Sequence, residues 1–225
     1  MEYKNINKCY SNDFMELYHC DCMELLKQTP DNYYSLALVD PPYGIGMDGG
    51  NVGYKGNNNF EKKSWDISTP TDEYFAELKR VSKNQIIFGG NYFNLPPTRC
   101  FIIWDKGEGF YNRTYAEAEL AWTSFDSNVR IFKHDPLAKR DYIGKCHPCQ
   151  KPVYLYDWIL TKYATEGMKI LDTHFGSGSI ALAVDKANRL DKMNLHLTAC
   201  EIDKEYIDKA IKRISESIKQ GTLSF

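Results

Sequence analysis

Four consecutive residues carry the strongest chemical signal in the sequence: Asp40, Pro41, Pro42 and Tyr43, directly after the apolar run 36–39. The two prolines lack N–H groups and hold the backbone extended, which leaves the carbonyls of Asp40 and Pro41 free to accept hydrogen bonds. A carboxylate and a carbonyl beside a flat ring suit an exocyclic amino group on a planar base, on which Tyr43 would stack. The alternative is a strand that ends in a proline turn. The complete tetrapeptide after a buried strand favours a binding site.

A second motif covers residues 170–179 and reads Ile-Leu-Asp-Thr-His-Phe-Gly-Ser-Gly-Ser, followed by an apolar helix pattern. A strand, a glycine turn and a helix N-terminus together offer close backbone approach and free N–H groups to an anionic ligand. The third glycine of the dinucleotide fingerprint and the P-loop lysine are both missing, so neither NAD nor a P-loop nucleotide is predicted. Glu201 ends the next strand, where an acidic side chain can bind a ribose hydroxyl pair. Asp203 is interpreted as a helix N-cap.

Strand and helix patterns alternate around these motifs, which indicates an α/β domain with a mostly parallel sheet. Short apolar runs predict seven strands, at 17–20, 36–39, 85–88, 101–104, 120–124, 169–171 and 195–200. Apolar side chains at 3- and 4-residue spacing predict five helices; these are 22–28, 71–82, 152–164, 179–188 and 204–217. Two stretches, 44–66 and 127–150, lack a regular pattern and are predicted to be functional loops. We expect residues 1–225 to form one domain that carries both loops.

Composition and charge narrow the class of protein. The 225 residues include 28 Lys and Arg against 30 Asp and Glu, so wholly electrostatic DNA binding is excluded, but a local basic patch is not. No apolar run predicts a membrane span, residues 1–5 begin no signal-peptide pattern, and the odd number of cysteines favours reduced thiols. We therefore expect a cytoplasmic protein that is not bound to a membrane. Cys146 and Cys149 have CxxC spacing, but a single pair is a weak signal for zinc, and no metal site is predicted.

The tetrapeptide 40–43 and the segment 175–178 together resemble the amino-group DNA methyltransferases, which use S-adenosylmethionine. Their order along the chain is similar to that of the β-class, a circular permutation of the usual order. The segment 147–152, His-Pro-Cys-Gln-Lys-Pro, is similar to the family segment that contacts the methionine part of the cofactor. Residues 18–22 resemble the strand whose acidic residue, here Asp21, meets the adenine of the cofactor. Residues 101–107 and 118–121 are similar to the smaller phage and bacterial members, and the resemblance spans about residues 16 to 214.

The resemblance implies a Rossmann-like, mostly parallel sheet of seven strands with helices on both faces and one antiparallel hairpin. It also implies that the target base is flipped out of double-stranded DNA into a pocket. Asp40 and the Pro41 carbonyl would orient the amine toward the sulfonium methyl, and transfer would be a direct in-line displacement without a covalent enzyme intermediate. An Asp at the first position of the tetrapeptide favours adenine N6 over cytosine N4.

The resemblance also implies residue roles. The expected catalytic residues are Asp40, Pro41, Pro42 and Tyr43. The expected cofactor contacts come from five segments of the chain; they are Asp21, Cys22, Asp40, Lys151, Asp172, Phe175, Gly176, Ser177, Gly178, Ser179, Glu201 and Ile202. The expected DNA contacts are the stacking ring and basic side chains of the two loops, which can meet phosphates; they are Tyr43, Lys55, Arg130, Lys139 and Arg140. His174 stands where the family commonly has an apolar residue; the alternatives are that it lines the cofactor site or packs beneath it, and we expect packing.

Target recognition and substrate leave alternatives open. The 127–150 loop is short for a recognition region, so the 44–66 loop, a second copy of the chain in a homodimer, or a partner protein would share the task. Such a partner would be a specificity subunit or the restriction endonuclease of a modification pair. The substrate alternatives are cytosine N4 in DNA, adenine in RNA, and a protein amide. A non-catalytic nucleic-acid-binding subunit is the remaining alternative, and the joint presence of Asp40, Tyr43, Gly176, Gly178 and Glu201 argues against it.

Overall fold

The computed structural model describes residues 1–51, 59–136 and 145–222. The strands within these residues are β1 Asn7–Ser11, β2 Met15–His19, β3 Tyr34–Val39, β4 Gly50–Asn51, β5 Asn59–Phe60, β6 Ser82–Phe88, β7 Phe101–Asp105, β8 Ala118–Thr123, β9 Arg130–Lys133, β10 Lys169–Asp172 and β11 His196–Glu201. The helices are α1 Cys22–Gln28, α2 Asp72–Val81, α3 Val153–Tyr163, α4 Ser179–Asp191 and α5 Lys204–Thr222. Among the described residues, no helix is both long and apolar enough to cross a membrane.

Nine of the strands form one sheet in the order β1-β2-β11-β10-β3-β6-β8-β7-β9. The five strands from β2 to β6 in that order pair in parallel. Strand β8 is antiparallel to both of its neighbours, and β1 is antiparallel to β2. The short strands β4 and β5 pair separately within the 44–66 loop. This mixed sheet with its surrounding helices confirms the predicted Rossmann-like methyltransferase fold.

The seven predicted strands and five predicted helices are all present, and only α5 departs by more than three residues, since it ends at Thr222 instead of residue 217. The predicted strand count was wrong, because the sheet has nine strands. The two additional strands, β1 and β9, lie at its edges and are mostly exposed. An edge strand buries little side-chain surface, so it lacks the apolar run on which the prediction depended. The 127–150 stretch, predicted to be irregular, accordingly contains β9.

Two apolar layers cover the two faces of the sheet. Helices α3, α4 and α5 pack on one face through Leu155, Val184 and Ile207, and helices α1 and α2 pack on the other. Strand β3 shows the alternation that this requires, since Leu36 and Leu38 belong to the first layer and Ala37 and Val39 to the second. A strand buried on both faces is held rigidly, so the residue that follows it is well positioned for chemistry.

The carboxyl ends of β3, β10 and β11 meet at one edge of the sheet, because the three strands are parallel neighbours. Asp40 follows β3, Asp172 ends β10, and Glu201 ends β11. In open α/β sheets, ligands bind at this edge. The fold therefore brings the two motifs of the sequence together.

Candidate active site

The Asp40 carboxylate lies at the centre of a buried polar cluster. Its Oδ1 accepts a hydrogen bond from the Tyr43 hydroxyl at 2.6 Å, and its Oδ2 pairs with the ammonium of Lys151. Lys151 Nζ also lies 3.2 Å from the Tyr43 hydroxyl and 3.3 Å from Glu119 Oε2. Pro41 is buried and Pro42 is half-buried, so the tetrapeptide is part of the protein interior at this edge. Both carboxylate oxygens of Asp40 are engaged within the protein.

Burial and charge oppose each other in this cluster. Burial raises the pKa of Asp40, and the Lys151 ammonium counters that rise. Burial alone would lower the pKa of Lys151, but Asp40 and Glu119 hold it above its ordinary value. Burial also raises the pKa of Tyr43, so its hydroxyl keeps its proton and donates. The geometry of the cluster is an ion pair between Lys151 and Asp40 with the Tyr43 phenol beside it.

The Tyr43 ring is fixed by residues 89–93, a segment that the sequence analysis did not assign to the site. Tyr92 stacks on it with ring centroids 4.9 Å apart and an interplanar angle of 12°, and Phe93 meets it edge-on. Gly89 has φ +71°, and a Cβ there would lie 2.2 Å from Tyr43 Cε1. The signal that could have identified this segment is the pair Gly89-Gly90 directly after a predicted strand.

The glycine turn lies beside this cluster and is tied to the end of β11. Gly176 and Gly178 adopt φ of +50° and +71°, a region that favours glycine. Glu201 Oε2 accepts a hydrogen bond from the Gly176 N–H at 2.8 Å, and Oε1 accepts one from the Asp203 N–H at 3.0 Å. Burial raises the pKa of Glu201.

The start of α4 connects the glycine turn to the segment that holds Lys151. The Ser179 hydroxyl donates to the Lys151 carbonyl at 2.7 Å and lies 3.2 Å from the Ser177 hydroxyl. Arg213 Nη1 donates to the Ser177 carbonyl at 2.9 Å. Phe175 is buried against the same core. These hydrogen bonds fix the position of the glycine turn relative to Lys151.

Asp172 and His174 face inward below the glycine turn. Asp172 Oδ1 accepts a hydrogen bond from the His174 N–H at 3.0 Å, and burial raises the pKa of Asp172 to about 8. The His174 ring lies 3.0 Å from the Thr173 hydroxyl and contacts the Tyr74 ring edge-on. Burial lowers the pKa of His174 to about 4, so the ring is neutral. These contacts agree with the predicted packing role of His174.

Further expected cofactor residues lie at the ends of β2 and β11, which are parallel neighbours with His19 paired to Glu201. Asp21 is the N-cap of α1 and accepts a hydrogen bond from the Met23 N–H at 2.7 Å. Cys22 is half-buried, and burial raises the pKa of its thiol to about 12. Ile202 is exposed. The structure thus brings these residues to the same edge as the glycine turn.

Asp203, beyond β11, is a helix N-cap as predicted: its carboxylate accepts from the N–H groups of Glu205 and Tyr206 at 2.9 and 3.2 Å.

His147 packs over the glycine turn within an aromatic group. Its ring stacks on Trp65 with centroids 5.3 Å apart, meets Tyr206 at 4.4 Å, and lies 3.7 Å from where a Cβ on Gly176 would be. Burial lowers the pKa of His147 to about 3. The rings of His147, Trp65 and Tyr206 therefore form an uncharged aromatic surface beside the glycine turn.

The two CxxC thiols have different partners. Cys146 Sγ donates to Gln150 Oε1 at 3.5 Å, whereas Cys149 Sγ donates to the Met47 carbonyl at 3.2 Å. Over 1–51, 59–136 and 145–222, no three His, Cys, Asp or Glu side chains are grouped to hold a metal ion.

Arg130, an expected DNA contact, is not brought to the tetrapeptide. It begins β9, four positions from β3 in the sheet, which corresponds to about 19 Å at the usual strand spacing. It lines a surface cavity with Lys162 and Tyr163 at the C-terminal end of α3, whereas Lys151 precedes the N-terminal end of that helix. The other expected basic contacts, Lys55, Lys139 and Arg140, lie outside the described residues.

The mostly parallel sheet, the glycine turn and the acidic strand end define a Rossmann-like methyltransferase class. The family model described as DNA methylase, for the N6/N4 enzymes, matches residues 103–212. The chain is 25% identical over 241 residues to the type II methyltransferase M.HpaI of Haemophilus parainfluenzae, covering 86% of this chain and 72% of that one. It is 26% identical over 259 residues to M.HinfI of Haemophilus influenzae, covering 91% and 70%. These matches show similarity to the N6/N4 DNA methylases and support a DNA methyltransferase of that kind.

Two solved structures share the fold. The M1.HpyAVI–SAM complex superposes with a TM-score of 0.56 at 19% identity, covering 88% of this chain and 99% of that one. The cytosine-N4-specific PvuII DNA methyltransferase superposes with a TM-score of 0.58 at 14% identity, covering 96% and 95%. The fold likeness therefore extends over nearly the whole chain.

Proposed function

We propose that this DNA methylase transfers a methyl group from S-adenosylmethionine to the N6 amino group of adenine in double-stranded DNA. The observation that carries the proposal is the acceptor group at the carboxyl end of β3: Asp40 and Tyr43 are hydrogen-bonded to each other, and Lys151 joins them to Ser179 at the end of the glycine turn. An amino group has two hydrogens to donate, and Asp40 with the Pro41 carbonyl supplies two acceptors. The flat ring of Tyr43 supplies a stacking surface for the base.

The residues at the sheet edge fit S-adenosylmethionine, whose sulfonium supplies an electrophilic methyl group when it is bound. A carboxylate has about four acceptor positions, and Glu201 uses two of them on the Gly176 and Asp203 N–H groups, so ribose hydroxyls can take the others. Asp21 follows β2 and Ile202 follows the neighbouring strand β11, and the adenine would be held between these two strand ends. The cofactor can approach the backbone of the glycine turn closely; the turn consists of Phe175, Gly176, Ser177, Gly178 and Ser179. We propose that Cys22, Asp172 and Lys151 contact the cofactor from the neighbouring segments.

In the proposed methyl transfer the nucleophile is the amino group of the base, and the protein contributes its orientation. Asp40 accepts an N–H hydrogen bond from the amine and directs the nitrogen lone pair toward the methyl group. The amine is neutral before transfer and positively charged after it, so the nearby carboxylate stabilises the developing charge. The product nitrogen then loses a proton, which Asp40 can accept and pass to water.

The target base is either adenine, methylated at N6, or cytosine, methylated at N4. The DPPY tetrapeptide supports adenine N6. Cytosine N4 is the second candidate, because the acceptor group suits either exocyclic amine and the PvuII enzyme, which shares the fold, is cytosine-N4-specific by name.

For contact with duplex DNA we propose the basic side chains Lys55, Lys139 and Arg140 of the two loops, which can meet phosphates. We propose Arg130 in the same role: it lies four strands from β3, so it would contact a phosphate and not the flipped base. We also propose a homodimer, a specificity subunit or a restriction endonuclease as a partner. The 127–150 loop is short for a recognition region, so a second protein chain would bind part of the duplex.

The test is methyl transfer from labelled S-adenosylmethionine to unmethylated genomic DNA, followed by nucleoside chromatography. We expect label in N6-methyladenine from the wild type and from Asp13→Ala, a matched control at an exposed position. Asp40→Ala should abolish transfer while binding S-adenosylmethionine within about twofold of wild type, because Asp40 acts on the acceptor amine. Label in N4-methylcytosine would correct the base. Full activity of Asp40→Ala would contradict the catalytic assignment.

A further inference from the structure

Four charged side chains form a row that leads away from the tetrapeptide: Asp40, Lys151, Glu119 and Lys106, here called the charged row. Lys151 pairs with Asp40 and lies 3.3 Å from Glu119 Oε2, while Lys106 Nζ lies 2.8 Å from Glu119 Oε1. Lys151 exposes only 5% of its side chain. Two carboxylates and two ammonium groups alternate, so each buried charge has an opposite neighbour.

Glu119 is held firmly as an anion. It lies on β8, whose backbone pairs with β6 on one side and β7 on the other. Burial would raise its pKa, but Lys151 and Lys106 outweigh burial and hold the pKa of Glu119 to about 2. Its Oε2 makes no hydrogen bond among the described residues, although it is buried and faces Lys151 Nζ. This oxygen is therefore an acceptor that is in place but not fully used.

The target amine and Lys151 compete for Asp40. In the structure Tyr43 occupies Oδ1 of Asp40 and Lys151 occupies Oδ2. An incoming amine that donates to Asp40 Oδ2 competes with the ammonium for that oxygen and weakens the Lys151–Asp40 pair. A displaced ammonium that found no other partner would be an unpaired buried charge, which is strongly unfavourable.

We propose that Glu119 is a positioning residue of the methyl-transfer site, which holds the Lys151 ammonium when the target amine replaces it on Asp40. The inference rests on the proposed function. Lys151 needs to move only from one carboxylate to a second one that it already touches. Lys106 fixes the other oxygen of Glu119, so Oε2 stays aimed at Lys151. The contact of Lys151 with Asp40 favours the ionised form of Asp40 and orients its carboxylate until the base arrives.

The test is Glu119→Gln, which removes the charge and keeps the size, with Glu108→Gln at an exposed position as the matched control. At saturating DNA and cofactor we expect kcat to fall at least about tenfold, with binding of S-adenosylmethionine unchanged by calorimetry. Glu108→Gln should behave as wild type. If Glu119→Gln melts well below wild type, Glu119→Asp replaces it: it keeps the charge, shortens the reach, and should lower kcat with little change in melting temperature.

A double-mutant cycle with Lys151→Met distinguishes a positioning role from a merely structural one. If Glu119 acts through Lys151, Glu119→Gln should add less than about twofold to the loss in the Lys151→Met background. Independent, multiplicative losses would overturn the inference, and so would a wild-type kcat in Glu119→Gln. An active wild type with an unimpaired Glu119→Gln contradicts this inference alone, whereas an inactive wild type contradicts the proposed function and this inference with it.

Discussion

The Lys151 ammonium pairs with the Asp40 carboxylate, although 111 positions separate the two residues in the sequence. The pair joins the tetrapeptide after β3 to the segment that precedes α3, and Ser179 ties that segment to the glycine turn through the Lys151 carbonyl. The acceptor group and the glycine turn are thus one connected site.

Gly89→Ala should reduce methyl transfer by displacing Tyr43. The added Cβ would lie 2.2 Å from Tyr43 Cε1, which no real contact tolerates, and φ of +71° is unfavourable for alanine. We expect kcat to fall at least about tenfold, since small displacements of orienting groups are costly to catalysis. The measurement is the initial rate of transfer from labelled S-adenosylmethionine at saturating DNA.

Gly167→Ala is the matched control for this variant. Gly167 has φ of +75° and open space around its Cβ position, so alanine meets the same backbone strain, about 1–2 kcal/mol, without a collision. It should therefore lose stability but keep kcat. Equal rates for the two variants would show that Tyr43 adapts to the clash.

Glu201→Gln should weaken cofactor binding. The carboxylate accepts two backbone N–H bonds, from Gly176 and Asp203, and an amide that presents its oxygen to one N–H faces the other with its NH2 group. An unpaired buried donor costs about 1–3 kcal/mol, so we expect an affinity for S-adenosylmethionine at least about fivefold lower by calorimetry. Glu166→Gln, exposed after α3, is the control and should bind as wild type. Unchanged binding in Glu201→Gln would rule out Glu201 as the organiser of the turn.

Asp172→Asn should flatten the pH dependence of stability. Burial raises the pKa of Asp172 to about 8, so the folded protein keeps a proton that the unfolded chain releases near its ordinary pKa of 3.8. Between these values the folded state binds more protons, and the free energy of unfolding falls with rising pH by up to about 1.4 kcal/mol per pH unit. Urea unfolding of both proteins from pH 5 to pH 8 measures this slope. A slope as steep in Asp172→Asn as in wild type would assign it to other groups.

The sequence by itself determined the strands and helices of the core and the edge at which the chemistry lies. Apolar runs such as 36–39 mark strands buried on both faces, and the spacing in α5 marks a helix with one apolar side, because burial follows the local period of the chain. Parallel strands end at a common edge, so the placement of Asp40, Asp172 and Glu201 followed from order alone. The edge strands β1 and β9 were missed because they bury too little surface to leave a pattern.

The tertiary structure decided which side chains touch across that edge. The charged row joins Asp40 after β3, Glu119 of β8, Lys106 after β7 and Lys151 before α3. The requirement for glycine at position 89 comes from the Tyr43 ring that packs against it. The distance of Arg130 from the tetrapeptide depends likewise on the strand order, in which β9 lies outermost. Local periodicity is set by residues a few positions apart, so it can be identified in the sequence. These contacts depend instead on how whole strands and helices pack, which the local pattern does not specify.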